Sequence, residues 1–87
     1  MREQEFHLYI GLPIGIDHRT EVQVFNTVNK RHPKVSYEYM LSGYWAGTEE
    51  STLLIKVEST MTDLQETVEA IKEILRDAFI AIDDPNQ

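Results

Sequence analysis

Lys30-Arg31-His32-Pro33-Lys34 is the one basic cluster in the chain, and Tyr37 and Tyr39 follow it closely. Cations beside aromatic rings are the ingredients of a site for an anionic nucleotide. Lys or Arg takes the phosphate and a tyrosine ring stacks on the base. The same five residues also read as a solvated loop that complements the negative end of a preceding helix. A second pattern is acidic. Glu66, Glu69, Glu73 and Asp77 recur at intervals of three and four, which sets four carboxylates along one helical face. Such a face attracts a basic protein surface. Mimicry of nucleic acid is its extreme form, but one charge per turn of about 5.4 Å falls short of duplex DNA, with one per about 1.7 Å. Glu49, Glu50, Glu58, Asp83 and Asp84 would have to join the stripe in space, and Lys72 and Arg76 dilute it. Tyr44 and Trp45 form a third candidate. Placed at a hairpin end, they either close the core or, if exposed, anchor a partner.

Other chemistry-bearing residues are scattered. His7, His18 and His32 stand at no metal-ligand spacing, and the chain has no cysteine. No Gly-x-Ser-x-Gly elbow occurs for a nucleophile. Gly11-x-x-x-Gly15 lacks the Gly-Lys-Thr ending of a phosphate loop, and Asp17 puts negative charge where the phosphate would sit. Glu49 and Glu50 are adjacent, so in an extended strand they diverge rather than converge as an acid/base pair. The expectation is a chain with no catalytic residues, no metal site and no cofactor. An enzyme built on this sequence needs His7 or Tyr9 facing a closed cavity with a strongly shifted pKa.

The elements that would carry these residues follow from the spacing of apolar side chains. Glu5–Ile10 alternates, with Phe6, Leu8 and Ile10 on one side and His7 and Tyr9 on the other. The glycines and proline in residues 11–16 interrupt regular structure. Asp17 suits a helix N-cap, with Glu21 in the first turn, and residues 18–31 read as a helix with Val22, Phe25 and Val28 on its apolar face and Val24 at the margin. The β-branched run Thr20–Val24 also fits a strand, so that alternative stays open. Pro33 ends the segment and disfavours helical geometry at His32.

Val35, Tyr37, Tyr39 and Leu41 then share a strand face, Gly43 marks a bulge, and Ala46-Gly47-Thr48-Glu49 reads as the turn of a hairpin. Leu53, Ile55 and Val57 line one face of its second arm, while Leu54 faces the other way. Thr62-x-x-Gln65 has the spacing of a capping box and opens a second helix. Its apolar stripe is Leu64, Val68, Ile71 and Leu75. Residues 78–82 form a last short strand, and residues 83–87 read as a frayed tail.

The order β-α-β-β-α-β over one domain of 87 residues implies an α+β, ferredoxin-like split βαβ sandwich. The expected antiparallel sheet order is 4-1-3-2, with both helices on one face and the other face open to a ligand or a second copy.

Charge narrows the partners. Net charge is −7, with residues 1–34 near neutral at +1 and residues 35–87 at −8. A surface of that sign repels phosphate backbones, which argues against direct nucleic-acid binding and for a basic partner. No apolar run reaches the roughly 20 residues of a membrane span, and no signal peptide shows in the first residues, so a soluble cytoplasmic protein is expected.

Leu8-Tyr9-Ile10-Gly11-Leu12 and the central Gly43-Tyr44-Trp45-x-Gly47, followed by Glu50-Ser51 and an apolar strand, add a resemblance. The chain resembles a poorly characterised family of short bacterial and phage proteins. That likeness implies the same fold and a bacterial or phage origin. The family has no established activity, so it carries over no functional residues.

Taken together, a non-enzymatic, homo-oligomeric binding module is expected, with the open sheet face as the surface for a second copy. Its sharpest form is an accessory protein that inhibits a host defence protein through Tyr44, Trp45, Glu66, Glu69, Glu73 and Asp77. The first alternative is an oligomeric sponge for an anionic nucleotide signal, using Lys30, Arg31, Lys34, Tyr37 and Tyr39. The second is a small dimeric α+β enzyme.

Overall fold

The alternation in residues 4–12 sets the frame. The structure is a computed structural model that describes residues 2–12, 15–45 and 48–86, with the backbone alone described over 39–45 and 48–50. Strand β1 (Gln4–Leu12) buries Phe6, Leu8, Ile10 and Leu12 on one side. It runs two residues past the expected end, straight through Gly11, because Leu12 continues the apolar phase and is itself buried. Gly15, at φ 80°, then takes the left-handed backbone that lets the chain turn toward the first helix.

Helix α1 (His18–Arg31) has the expected bounds and cap. The Asp17 carboxylate accepts from Thr20 N–H at 2.8 Å. The segment Thr20–Val24 is therefore helical, and the strand alternative is closed. The buried face is Val24 and Val28, with Phe25 packed beside them. Val22, expected on that face, is 36% exposed, so the stripe is rotated toward the residue placed at its margin. His32 caps the helix with extended backbone, φ −132° and ψ 103°, as a residue before proline should.

Strands β2 (Val35–Trp45) and β3 (Thr48–Ser59) form the hairpin. Their register slips by one residue between Leu41 and Tyr44, which is the bulge expected at Gly43. Thr48 and Glu49, expected in the turn, belong to β3 and pair with Trp45 and Tyr44. The ladder continues because the bulge restores pairing beyond it. Ala46 and Gly47 lie outside the described residues.

Helix α2 (Met61–Ile74) starts one residue before Thr62. Its N-cap is Thr60, whose hydroxyl accepts from Asp63 N–H at 3.2 Å. The capping box expected at Thr62 is corrected to this earlier pair, since Thr60 holds the extended backbone a cap requires. Leu64, Val68, Ile71 and Leu75 are buried as expected.

Strand β4 (Ile80–Asp83) is four residues long and starts later than expected. The tail beyond it is tied down. Gln4 donates to the Asp84 carboxylate at 2.8 Å, and the Asn86 amide donates to the Glu5 carbonyl at 3.3 Å.

The sheet order is β2-β3-β1-β4, all antiparallel, which is the expected order read from the other edge. Both helices cover one face. The core joins Leu8, Ile10, Leu53 and Ile55 from the sheet to Val24 and Val28 of α1 and Leu64 and Ile71 of α2, every one of them at 1% exposure or less. Full burial of such a side chain stabilises by about 1.5–3 kcal/mol, so this layer dominates the stability of a small domain.

Candidate functional site

Three surfaces could carry function: the solvent face of α2, the C-terminal end of α1, and the sheet face opposite the helices. On α2, Glu66, Glu69 and Glu73 are exposed, and their spacing puts them on one side of the helix. Asp77 does not belong to that stripe. The helix ends at Ile74, with Leu75 as its cap, and Asp77 lies in the following turn near Gly15 and Asp17. The expected row of four carboxylates is three on the helix and one beyond it.

The basic cluster is likewise split. Lys30 and Arg31 sit in the last turn of α1, where they complement the helix dipole. Lys30 borders an open groove with Asn26, Asn29 and Ile74. Lys34 lies on the other side of the cap, in a depression with Glu5, Lys56 and Glu58, and its ammonium is 3.5 Å from the Glu58 carboxylate. Between them, His32 turns inward and is 3% exposed. The three cations therefore do not line one depression.

Tyr37 is turned toward the helices. Its ring meets Phe25 edge-on with centroids 4.8 Å apart, and its hydroxyl donates to Asn29 Oδ1 at 2.9 Å. Burial pushes its hydroxyl pKa up. This is a packing role, and it corrects the expectation of a ring free to stack on a base. The side chains of Tyr39, Tyr44 and Trp45 lie outside the described residues.

His32, which the sequence places in a loop without a partner, is a buried polar group. Its Nε2 is 2.7 Å from Thr67 Oγ1 on α2. The Thr67 hydroxyl donates to the Asp63 carbonyl at 3.1 Å, so its oxygen accepts from the ring and the ring proton sits on Nε2. Burial lowers the His32 pKa, with Arg31 acting in the same direction. Asp63 and Glu3 pull the other way, and burial prevails. The sequence carries a signal for this pair only in Leu64 and Ile71, which stand three residues before and four after Thr67 and set it on the buried face of the helix.

The open sheet face is mixed. His7, paired with Lys56 and Asp83, is one row; Tyr9, paired with Leu54 and Ala81, is the next. Leu54 is 7% exposed although it faces away from the helices. His7 Nε2 lies 3.4 Å from the Glu5 carboxylate, a contact without hydrogen-bond geometry. Lys56 reaches Glu38 at 3.5 Å. His7 and Tyr9 thus belong to a broad sheet surface. His18 is exposed at the start of α1.

A second groove was not foreseen. It runs between α2 and β4, lined by Glu66, Val68, Glu69, Lys72, Ile80 and Ile82, with a volume of about 570 Å³. The alternation Ile80-Ala81-Ile82 is the sequence signal that could have located it.

Among the described residues, no group of three or more His, Cys, Asp or Glu side chains is placed to hold a metal ion. No helix among them is long and apolar enough to cross a membrane.

No family model and no curated protein matches the sequence. Solved structures do match the fold. CutA1 from Pyrococcus horikoshii is 19% identical with a TM-score of 0.64, over 94% of this chain and 84% of that one. The periplasmic divalent cation tolerance protein CutA from Archaeoglobus fulgidus is 11% identical with a TM-score of 0.64, over 97% and 86%. The de novo designed protein Foldit4 is 12% identical with a TM-score of 0.58, over 92% of each chain. At these identities the likeness shows the architecture alone, and a designed protein among the neighbours underlines that the architecture does not dictate a function.

Proposed function

We propose that this chain is a non-enzymatic binding module, and that its acidic α2 face engages a basic surface on a protein partner. The division of α2 supports this reading best. Leu64, Val68, Ile71 and Leu75 are consumed by the core, while Glu66, Glu69 and Glu73 are left exposed on the helix. Residues 35–87 carry a net −8, so the acidic field is concentrated in the part of the chain that holds this helix. In a phage or bacterial setting the partner is a host defence protein, whose basic groove the acidic face occludes, with Tyr44 and Trp45 as aromatic anchors. The open sheet face, where Tyr9 and Leu54 form an apolar row, is the surface for a second copy. CutA from Archaeoglobus fulgidus is a divalent cation tolerance protein by name. A cation role takes no support from the described side chains of this chain.

The test is capture of partners from a bacterial lysate by the wild type and by the Glu66→Gln, Glu69→Gln, Glu73→Gln triple variant. The expected result is one partner retained at low salt, released as salt rises, and lost with the variant at an unchanged Tm. Capture that ignores both salt and the substitutions would overturn the reading. The mass in solution tests the second copy, and a monomer at high concentration would exclude it.

Capture of an anionic nucleotide by Lys30, Arg31 and Lys34 with Tyr37 and Tyr39 is the weaker alternative, because Lys34 is engaged with Glu58 and Tyr37 with Phe25 and Asn29. It predicts a Tm rise on adding the nucleotide.

A further inference from the structure

Among the described residues, no strand covers the sheet edge beside the acidic helix. The bond from Gly11 N–H to the Phe79 carbonyl, 2.8 Å, sets the phase of the β1–β4 ladder. In an antiparallel pair the bonded positions alternate, so residues 79, 81 and 83 direct their backbone groups at β1. The N–H and C=O of Ile80 and Ile82 therefore point away from the sheet, and β4 has no second strand neighbour among the described residues. The side chains of the same two residues pair across β1 with Ile10 and Leu8, so they lie on the helix side. There they and Val68 form the apolar floor of the groove along α2, while Glu66 and Glu69 rim it against one cation, Lys72.

We propose that this groove accepts an extended, basic peptide segment by strand addition to β4. The proposal rests on the reading of α2 as the partner face. Residues of the added strand opposite Ile80 and Ile82 would exchange both backbone bonds with them. Their side chains would then fall on the helix side, above Val68, at the strand spacing of about 4.8 Å. Flanking residues on that same side reach the rim, where Glu66 and Glu69 favour lysine or arginine. A second copy of this chain brings the same −7 to an acidic rim, so charge favours a basic foreign segment over self-association here. Because β4 is only four residues long, backbone pairing is brief, and the groove contacts must supply the selectivity.

The probe is a blocked heptapeptide with lysine at both ends and two valines between them, threonine alternating with these four. Lysines and valines then share one face. Titration into the isotopically labelled protein, read by NMR, is expected to shift the amides of Ile80 and Ile82 most and to slow their exchange with solvent. Methylating the peptide nitrogens of the two valines should weaken binding at least tenfold, as should glutamate in place of both lysines. Ile82→Pro removes an outward N–H at an edge where proline is tolerated, and it should do the same with the far-UV spectrum retained. If that variant does not fold, the methylated peptide still decides.

Shifts centred on His7, Tyr9 and Leu54, equal binding of the glutamate peptide, or no binding at all would each overturn the proposal. So would loss of self-association in Ile82→Pro, which would assign the edge to a second copy. Salt-sensitive lysate capture by the wild type that is lost in the Glu66→Gln, Glu69→Gln, Glu73→Gln variant, while the peptide fails to bind, would remove the groove and leave the wider reading of α2 standing.

Discussion

His32 shows how one side chain couples charge to stability. Its ring is buried between the two helices and donates to Thr67, and its pKa is lowered, chiefly by burial. The unfolded chain takes up a proton near the ordinary value of about 6.5, whereas the native state resists it. Stability is therefore full above that value and falls as pH drops through the lower native pKa. Chemical denaturation across this window should show the loss in the wild type. His32→Gln, which keeps a donor for Thr67 and cannot titrate, should flatten the difference. An equal slope in both proteins would place the pH dependence elsewhere. Thr67→Val tests the bond from the other side. It leaves the His32 N–H buried without an acceptor, and the expected loss in urea denaturation is about 1–3 kcal/mol.

At the scale of the element, boundaries follow from local chemistry more than from the apolar stripe. The stripe of α2 was readable from sequence, but its start was not, because two threonines stand where a hydroxyl can accept from the backbone N–H three residues on. Thr60 and Thr62 are chemically alike. What separates them is backbone geometry: Thr60 is extended, while Thr62 already lies in the first turn. Thr60→Ala should therefore cost about 0.5–2 kcal/mol, and Thr62→Ala should stay within about 0.5 kcal/mol of wild type. The reverse ranking by thermal or urea denaturation would return the cap to Thr62. Helix α1 shows the opposite case. Asp17 before it and Pro33 after it mark both ends by side-chain and ring chemistry that acts within a few residues, so its bounds could be read directly. Its buried face could not. The rotation from Val22 to Val24 is set by how the helix lies on the sheet.

For the molecule as a whole, stability rests on one apolar layer. Ile10 sits where β1 meets both neighbours, opposite Leu53 on β3 and Ile80 on β4, and it is fully buried. Ile10→Ala should lose about 2–5 kcal/mol, a large share of the roughly 5–15 kcal/mol typical of a domain. Urea denaturation measures it, and a loss below about 1 kcal/mol would mean that the layer closes around the gap. The helix-covered face leaves little room for a cavity, so functional chemistry is displaced to the rim of α2, the β4 edge and the open sheet face.

The sequence alone determined the order of elements, the sheet order and the core faces of the strands. Those depend on periodicity, capping and the handedness of connections, all of which act over short stretches of chain. Only the tertiary structure decided which polar residues meet. It parted Lys30 from Lys34, turned Tyr37 onto Phe25, joined His32 to Thr67 and opened the groove between Glu66 and Ile80. Those pairings join positions far apart in the chain or on opposite sides of one turn. Their distances depend on how helices settle on the sheet, which no local pattern of residues specifies.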